Sequence, residues 1–316
     1  MSVGAALAAQ ASPVEIGPRV AVHLLNRTGF GPRPGEAARI LRSGLDRHVE
    51  EQLDAGPDPE LDTRLRPLAT LGMPLAEALA LYRSQDRAFG RFTEEFFAAK
   101  VIRAVHGRNQ LEEVLADFWF NHFNVFVGDG LDRVYTPFYE REAIRPHVLG
   151  RFRDLLAATA AHPAMLFYLD NYLSTVYRTD PRTGRVLSGV NENYGRELLE
   201  LHTVGVDAGY TQTDVVYSAL CFTGWTIDLR GSGGFVYRDA NHDKTAKSVF
   251  GLNLPAGGGK DDGDRLLDYL ASHPATARHV SRRLLQRFVS DAPAPALVDR
   301  IAATFLRTDG DLRAVM

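Results

Sequence analysis

Apolar side chains recur every three to four positions through most of the chain, the spacing that lays one stripe along an α-helix. Almost nowhere do they alternate as a half-buried strand requires. That rhythm implies a mainly α fold, a multi-helix orthogonal bundle with a small β-hairpin insertion. Helices are expected over residues 33–53, 74–82, 89–106, from 109 or 110 onward, 139–145, 148–161, 163–172, 192–204, 212–225, 261–272, 275–288 and 294–306. The first follows TGFGPRP, whose glycines and prolines force an irregular turn. In GSGGFVYRDANHDKTAKSVFG, residues 235–238 and 248–250 read as two short strands joined by a polar loop. With the glycine-rich PAGGGKDDG after it, this forms an insertion over residues 231–263. The 316 residues, 45% apolar, suffice for one large helical domain with its own core.

Bulk charge narrows the partners. A net charge of −3 with scattered Lys and Arg residues argues against nucleic acid and anionic membrane surfaces. No apolar run approaches the roughly 20 residues of a membrane span. One cysteine, Cys221, rules out an internal disulfide and a cysteine-rich zinc site, and its apolar helical context predicts burial. The start, MSVGAALAAQASPVE, lacks a basic n-region and a sustained apolar core, so the sequence as given reads as cytoplasmic, or exported if a leader was removed. The end, DGDLRAVM, stops inside a helix, and the chain is expected to continue beyond Met316.

Three stretches carry candidate chemistry. In NENYGRELLELHTVGV, Asn191 suits an N-cap and Gly205 a left-handed C-terminal cap. At about 100° per residue, Asn193, Arg196, Glu197 and Glu200 share roughly one third of the helix circumference. Leu198 and Leu199 point away, and His202 lies almost opposite Glu200. This flank is either a solvated face, with Arg196 pairing Glu200, or a buried one offering Glu197 and Glu200 to a metal or to acid–base work. In DFWFNHF, His122 falls on the apolar stripe of its helix with Leu111, Leu115 and Phe118, which suits either a core histidine or a ligand. In NHDKTAK, His242, Asp243 and Lys247 form either an exposed polar turn or a catalytic loop cluster. The lipase-type, phosphate-loop, zincin and dinucleotide signatures are all absent from the sequence.

Taken in order, HLLNRTGFGPRPGEAARI, LADFWFNHFNVF, HPAMLFYLDN, NENYGRELLELHTVGVDAGYTQTDVVYSALCFTGWTI, HDKTAKSVFG and RRLLQRFVSD resemble the blocks of the bacterial domain of unknown function 1800 family. The resemblance spans nearly the whole chain. It implies a mostly helical protein, often exported, whose members run longer. Many members resemble Trp-His-x-His where this chain has Trp119, Phe120, Asn121 and His122, so one histidine is missing here.

Two functions follow. One is an enzyme in which Asn193, Arg196, Glu197, Glu200, His122, His242, Asp243 and Lys247 converge on one site. There Glu197, Glu200, Arg196, His242, Asp243 and Lys247 do the chemistry on a small-molecule or polymer substrate, and Asn193 contacts a bound group. His122, Glu197 and Glu200 would ligate a divalent metal, zinc, manganese or iron, for hydrolysis or oxidation. The other is a non-catalytic scaffold or binding module for a protein or polysaccharide, its polar residues forming a structural network. An enzyme needs an open cavity meeting those side chains, whereas a structural network is closed and fully paired.

Overall fold

The computed structural model describes residues 17–54, 56–84, 90–184 and 186–316. Residues 1–15, read above for a leader, and Phe89, the expected start of a helix, lie outside them. The N-terminal third carries α1 (Pro18–Thr28), α2 (Glu36–Ser43), α3 (Leu45–Leu53), α4 (Pro59–Leu65), α5 (Leu75–Arg83) and α6 (Gly90–His106). The centre carries α7 (Gln110–His122), α8 (Asp132–Tyr139), α9 (Phe152–Ala161) and α10 (Pro163–Tyr168). A short pair, β1 (Arg178–Thr179) and β2 (Val186–Ser188), precedes α11 (Asn193–Glu197) and α12 (Gln212–Cys221). Then come β3 (Trp225–Ile227), β4 (Phe235–Tyr237), β5 (Lys247–Val249) and β6 (Leu252–Leu254), followed by α13 (Asp261–Ala271), α14 (Pro274–Phe288), α15 (Pro295–Arg307) and α16 (Leu312–Val315). The fold is mainly helical with small antiparallel strand pairs, as the periodicity implies.

Several boundaries differ from expectation for local reasons. The helix expected over residues 33–53 is two, because Gly44 adopts φ +98°, outside the helical region. Residues 140–144 and 198–202 wind as π-helix rather than α-helix. Trp225, expected to end a helix, starts a strand after Gly224 turns the chain at φ +82°. The two expected strands do not pair with each other. Instead β3 pairs β4, with Thr226 opposite Val236, and β5 pairs β6, with Ser248 opposite Asn253. Phe250 and Gly251 both have positive φ, 46° and 96°, which makes a two-residue hairpin turn and sends the chain straight back.

One apolar core runs from α5 to α16 and is built on Trp119, Phe123, Tyr135, Phe138, Tyr139 and Phe152, with a smaller cluster of Ala21, Leu25 and Ile40 beneath α1 and α2. Cys221 is buried, as its surroundings predict. Two helices begin alike. At His-Pro-Ala, the ring Nδ1 of His162 accepts from the amide of Ala164, and that of His273 from Ala275, both at 3.1 Å. An imidazole thus does the work usually given to Ser or Asp at an N-cap.

The orientation of α11 is set by Tyr194, Gly195, Leu198 and Leu199, which are buried. A β-carbon on Gly195 would stand 2.7 Å from the amide nitrogen of Ala219 and 2.8 Å from the carbonyl of Val215, so only glycine lets α11 lie this close to α12. Substituting Gly195→Ala is expected to destabilise the protein by about 1–3 kcal/mol, the usual cost of overpacking. Urea unfolding monitored by circular dichroism measures it, and an unchanged midpoint would show that the two helices are not in contact there.

Candidate functional site

The expected site residues fall into three sets that share no contact. The first is the flank of α11. Asn193 is exposed, whereas Arg196, Glu197 and Glu200 are half-buried. Arg196 does not pair with Glu200. Its guanidinium donates to Glu192 Oε2 at 3.3 Å and to Gln212 Oε1 at 3.0 Å, and Gln212 Nε2 donates to Glu192 Oε2 at 2.7 Å, closing a three-residue ring. The helix starts at Asn193, one residue later than expected, with Glu192 rather than Asn191 at the N-cap position; the Oδ1 of Asn191 accepts from the Asn193 amide at 2.9 Å in the turn that precedes it. Glu200 receives the hydroxyl of Tyr210 at 3.4 Å. Glu197 has neither hydrogen bond nor ion pair among the described residues. Burial, followed by the charge of Glu200, raises its carboxyl above the ordinary range, and Arg196 only partly offsets this.

The second set is imidazole. The π-helical turn of residues 198–202 leaves its last carbonyls without helical partners. His122, at the end of α7, faces the carbonyl of His202 through Nε2 at 3.1 Å, and His279, on α14, faces that of Leu201 through Nε2 at 3.2 Å. A carbonyl only accepts, so both Nε2 atoms carry hydrogen and the rings act as caps. The His122 ring centroid lies 6.4 Å from that of His202 and 6.0 Å from that of His279. Burial, then the neighbouring ring of His202, holds His122 well below the usual imidazole range; burial, then His279, lowers His202 to about 3. Among the described residues, no three His, Cys, Asp or Glu side chains are grouped as a metal ion requires. His122, Glu197 and Glu200 are therefore not brought together as the expected ligand set. Sequence reasoning assigned no part to His279, because a histidine serving as a carbonyl cap leaves no spacing pattern.

The third set lies under the β3–β6 region. Lys247 Nζ donates to the carbonyls of Asp243 and Thr245 at 2.7 and 2.9 Å and to Asp262 Oδ2 at 2.9 Å, which uses all three of its hydrogens. His242 Nδ1 stands 2.8 Å from the Thr223 carbonyl, and its Nε2 stands 3.2 Å from Asp262 Oδ2. Asp243 accepts from the amide and hydroxyl of Thr245 at 2.9 and 2.5 Å, and its carboxyl is lowered by these bonds and by Lys247 despite a larger opposing effect of burial. The side chains of His242 and Lys247 have no exposed surface. A shallow groove over β5 and β6, lined by Tyr217, Ser248, Asn253 and Leu254, reaches Lys247 without reaching its ammonium group. This is neither an exposed turn nor an open cluster. It is a closed network, and Asp262, the carboxylate at its centre, comes from α13 and went unrecognised because it lies 20 residues beyond His242.

A family model described as a protein of unknown function, DUF1800, matches residues 23–316. The chain belongs to that family. No curated protein and no solved structure matches it. Membership in DUF1800 covers all three residue sets but carries no assigned activity, so their chemistry has to be argued from geometry.

Removing the ammonium from the closed network leaves the buried carboxylate of Asp262 with the His242 ring, at 3.2 Å, as its one remaining side-chain partner among the described residues. Lys247→Met is expected to cost about 3–5 kcal/mol, read from denaturant unfolding. A loss under about 1 kcal/mol, the scale of an exposed pair, would show that solvent reaches the network.

The buried imidazoles also set an acid response. His122 and His202 have folded pKa values below the unfolded one, and burial, with help from Arg141, lowers His162 to about 3. A depressed histidine leaves stability intact above the unfolded value of about 6.5, and stability falls as pH drops below it, because only the unfolded state takes up the proton. Asp132 works in the opposite direction. Its buried carboxyl, raised to about 8 by burial and then by Asp129, gains relative stability on acidification. Glu197 and Glu112, also raised by burial, act with Asp132, but the depressed histidines, His48, His273 and His279 among them, outnumber these carboxyls, so the urea midpoint is expected to fall between pH 6.5 and 4. A midpoint that rises across this window would contradict the neutral buried rings.

Proposed function

We propose that the chain is a non-catalytic binding module for a neutral polysaccharide, which it meets through the polar flank of α11. The closure of the His242–Asp262–Lys247 network carries the first half of this reading. Every hydrogen of the Lys247 ammonium is used inside the protein, and no substrate reaches that group. A network of that kind secures the strand region against α13 and does no chemistry. The flank supports the second half. Asn193, Arg196, Glu197, Glu200 and Tyr210 set amide, guanidinium, carboxylate and phenol groups side by side at the surface, and Glu197 has no partner of its own. Sugar hydroxyls both donate and accept, and so satisfy such a mixed array. The carboxylates repel an acidic polymer. Leu201 and Val206, both exposed, offer apolar surface beside the flank for the carbon faces of a sugar ring.

One observation favours catalysis as a second reading. Glu197 is half-buried, unpaired and raised above the ordinary carboxyl range next to Glu200, which is how a general acid is prepared. One assay separates the two readings. Neutral glycans are immobilised, retention of the purified chain is measured, and the eluate is followed for released reducing ends. Binding without release is expected, with Glu197→Ala and Tyr210→Phe each weakening it about tenfold, or 1.4 kcal/mol. Reducing ends that accumulate with the wild type and vanish with Glu197→Gln would establish the enzyme instead. No retention on any glycan would end the binding proposal.

A further inference from the structure

Helix α6 turns Glu95, Lys100 and Arg103 toward the protein, on the side that also buries Phe92, Phe96 and Ala99, while Arg91 and Glu94 stay exposed. Glu95 is buried and accepts from the amide and hydroxyl of Thr70, both at 2.8 Å. Lys100 turns inward to Glu140 at 2.6 Å, and Arg103, half-buried, lines a cavity of about 30 Å³ together with Phe96, Glu140 and Arg145. The outward face is left to Phe97, Val101 and Val105, which are 48%, 62% and 56% exposed. At about 100° per residue, Glu94, Phe97, Ala98, Val101 and Val105 lie within roughly 100° of arc, and no charge interrupts them after Glu94. Phe30, 55% exposed, joins this surface at its far end: its amide donates to Gln110 Oε1 at 3.2 Å, while Gln110 Nε2 donates to the carbonyl of Ala104 at 3.1 Å. Isolated apolar residues on a surface need no explanation, but a continuous ridge three turns long does.

We propose that this ridge is a dimer interface, filled by α6 of a second copy of the chain running antiparallel across a two-fold axis at Val101. The ridge is complementary to itself. With the axis at Val101, Phe97 packs on the partner's Val105, and Val101 packs on the partner's Val101. Glu94, which has no ion pair among the described residues, comes opposite the partner's Arg108. The Arg108 side chain stays 61% exposed in spite of its contact with Asp58, so it remains open to a second carboxylate. A parallel arrangement would set Glu94 against the partner's Glu94 and lose that pairing. Ala98, half-buried on the edge of the stripe, adds no bulk, and two such helices approach to the 8–10 Å typical of packed pairs. A self-complementary patch about a two-fold axis is the commonest way in which identical chains associate. Neither the family assignment nor the glycan reading is needed for this interface, and the flank of α11 shares no residue with it.

The test uses sedimentation or light scattering of the purified chain together with cysteine crosslinking. The wild type is expected to be a concentration-dependent dimer. Val101→Asp should weaken it roughly a hundredfold, as loss of a central interface anchor does, while the urea midpoint measured at a concentration low enough for both proteins to be monomeric stays unchanged because Val101 lies outside the core. Cys221 is buried, with its thiol pushed up by burial, so crosslinking has no native background. Oxidised glutathione should link Val101→Cys to itself, since only a residue on the axis meets its own copy. Val105→Cys alone should not link, but a mixture of Phe97→Cys and Val105→Cys should. A monomer at every concentration overturns the proposal and assigns the ridge to a different protein or to residues 1–16. A dimer indifferent to Val101→Asp and not linked through Val101→Cys also overturns it, placing the interface elsewhere.

Discussion

Arg145 is the point on which the helical arrangement turns. Its guanidinium holds both oxygens of Glu113 at 3.0 and 2.7 Å and Glu140 Oε1 at 2.9 Å, while Lys100 reaches the other oxygen of Glu140 at 2.6 Å. Glu140 is buried, yet its carboxyl is held below the usual range by Arg145 and Lys100 against a larger penalty from burial. Those four side chains come from α6, α7, the π turn after α8 and the residue that closes it. Separating any of these elements would strand a buried charge, which costs several times more than losing an exposed pair. The network therefore fixes how the elements sit against one another, and apolar packing around Trp119 and Tyr139 fills the space so defined.

The same requirement shapes the exposed ridge. Because Lys100 and Arg103 are turned inward and the exposed Arg91 is paired with Glu95 in the first turn, no long cation covers the outer face of α6 beyond Glu94, and Phe97, Val101 and Val105 remain there uncovered. The second closed network, around Lys247, acts in parallel at the other end of the core. It joins the Thr223 turn, the loop before β5 and the first turn of α13 through Asp262. Both networks put charge where a simple amphipathic pattern would put leucine. Both specify which elements meet, at some cost in raw stability.

How far the sequence revealed this structure depended on the range of the forces involved. Helical rhythm is local, so the helices of residues 261–272, 275–288 and 294–306 were found to within a residue or two at each end. Gly44 shows the limit, since one glycine within a helical pattern signals a break only through a backbone angle that composition does not show. The strand region was recognised as such, but its partners were misjudged. The pairing is set by turns that strand composition does not show, Phe250–Gly251 between β5 and β6 and the turn from Asp228 to Gly234 between β3 and β4. The candidate residues divided in the same way. His122 faces inward as its place on the apolar stripe implies, because that follows from one helix. Asp262, His279 and Arg145 were passed over, because each acquires its role from a partner far along the chain.

The flank itself shows why a straight-helix projection is an incomplete guide. Asn193, Arg196 and Glu197 lie in α-helix, but Glu200 lies in the π turn, where each residue advances less than 100° and the hydrogen bonds reach five residues back. Glu200 is therefore rotated off the line that α-helical spacing draws through Arg196. This agrees with the pairing, in which Arg196 turns back to Glu192 and Glu200 turns to Tyr210. Glu197 sits at the join, with neither arginine nor tyrosine to hold it. A π turn costs hydrogen-bond quality, and the two imidazole caps on its last carbonyls are what offset that loss here. The unpaired carboxylate thus exists because His122 and His279 stabilise an irregular turn behind it. Their rings, that of His122 buried and that of His279 half-buried, belong to the support of the flank rather than to its ligand-facing surface.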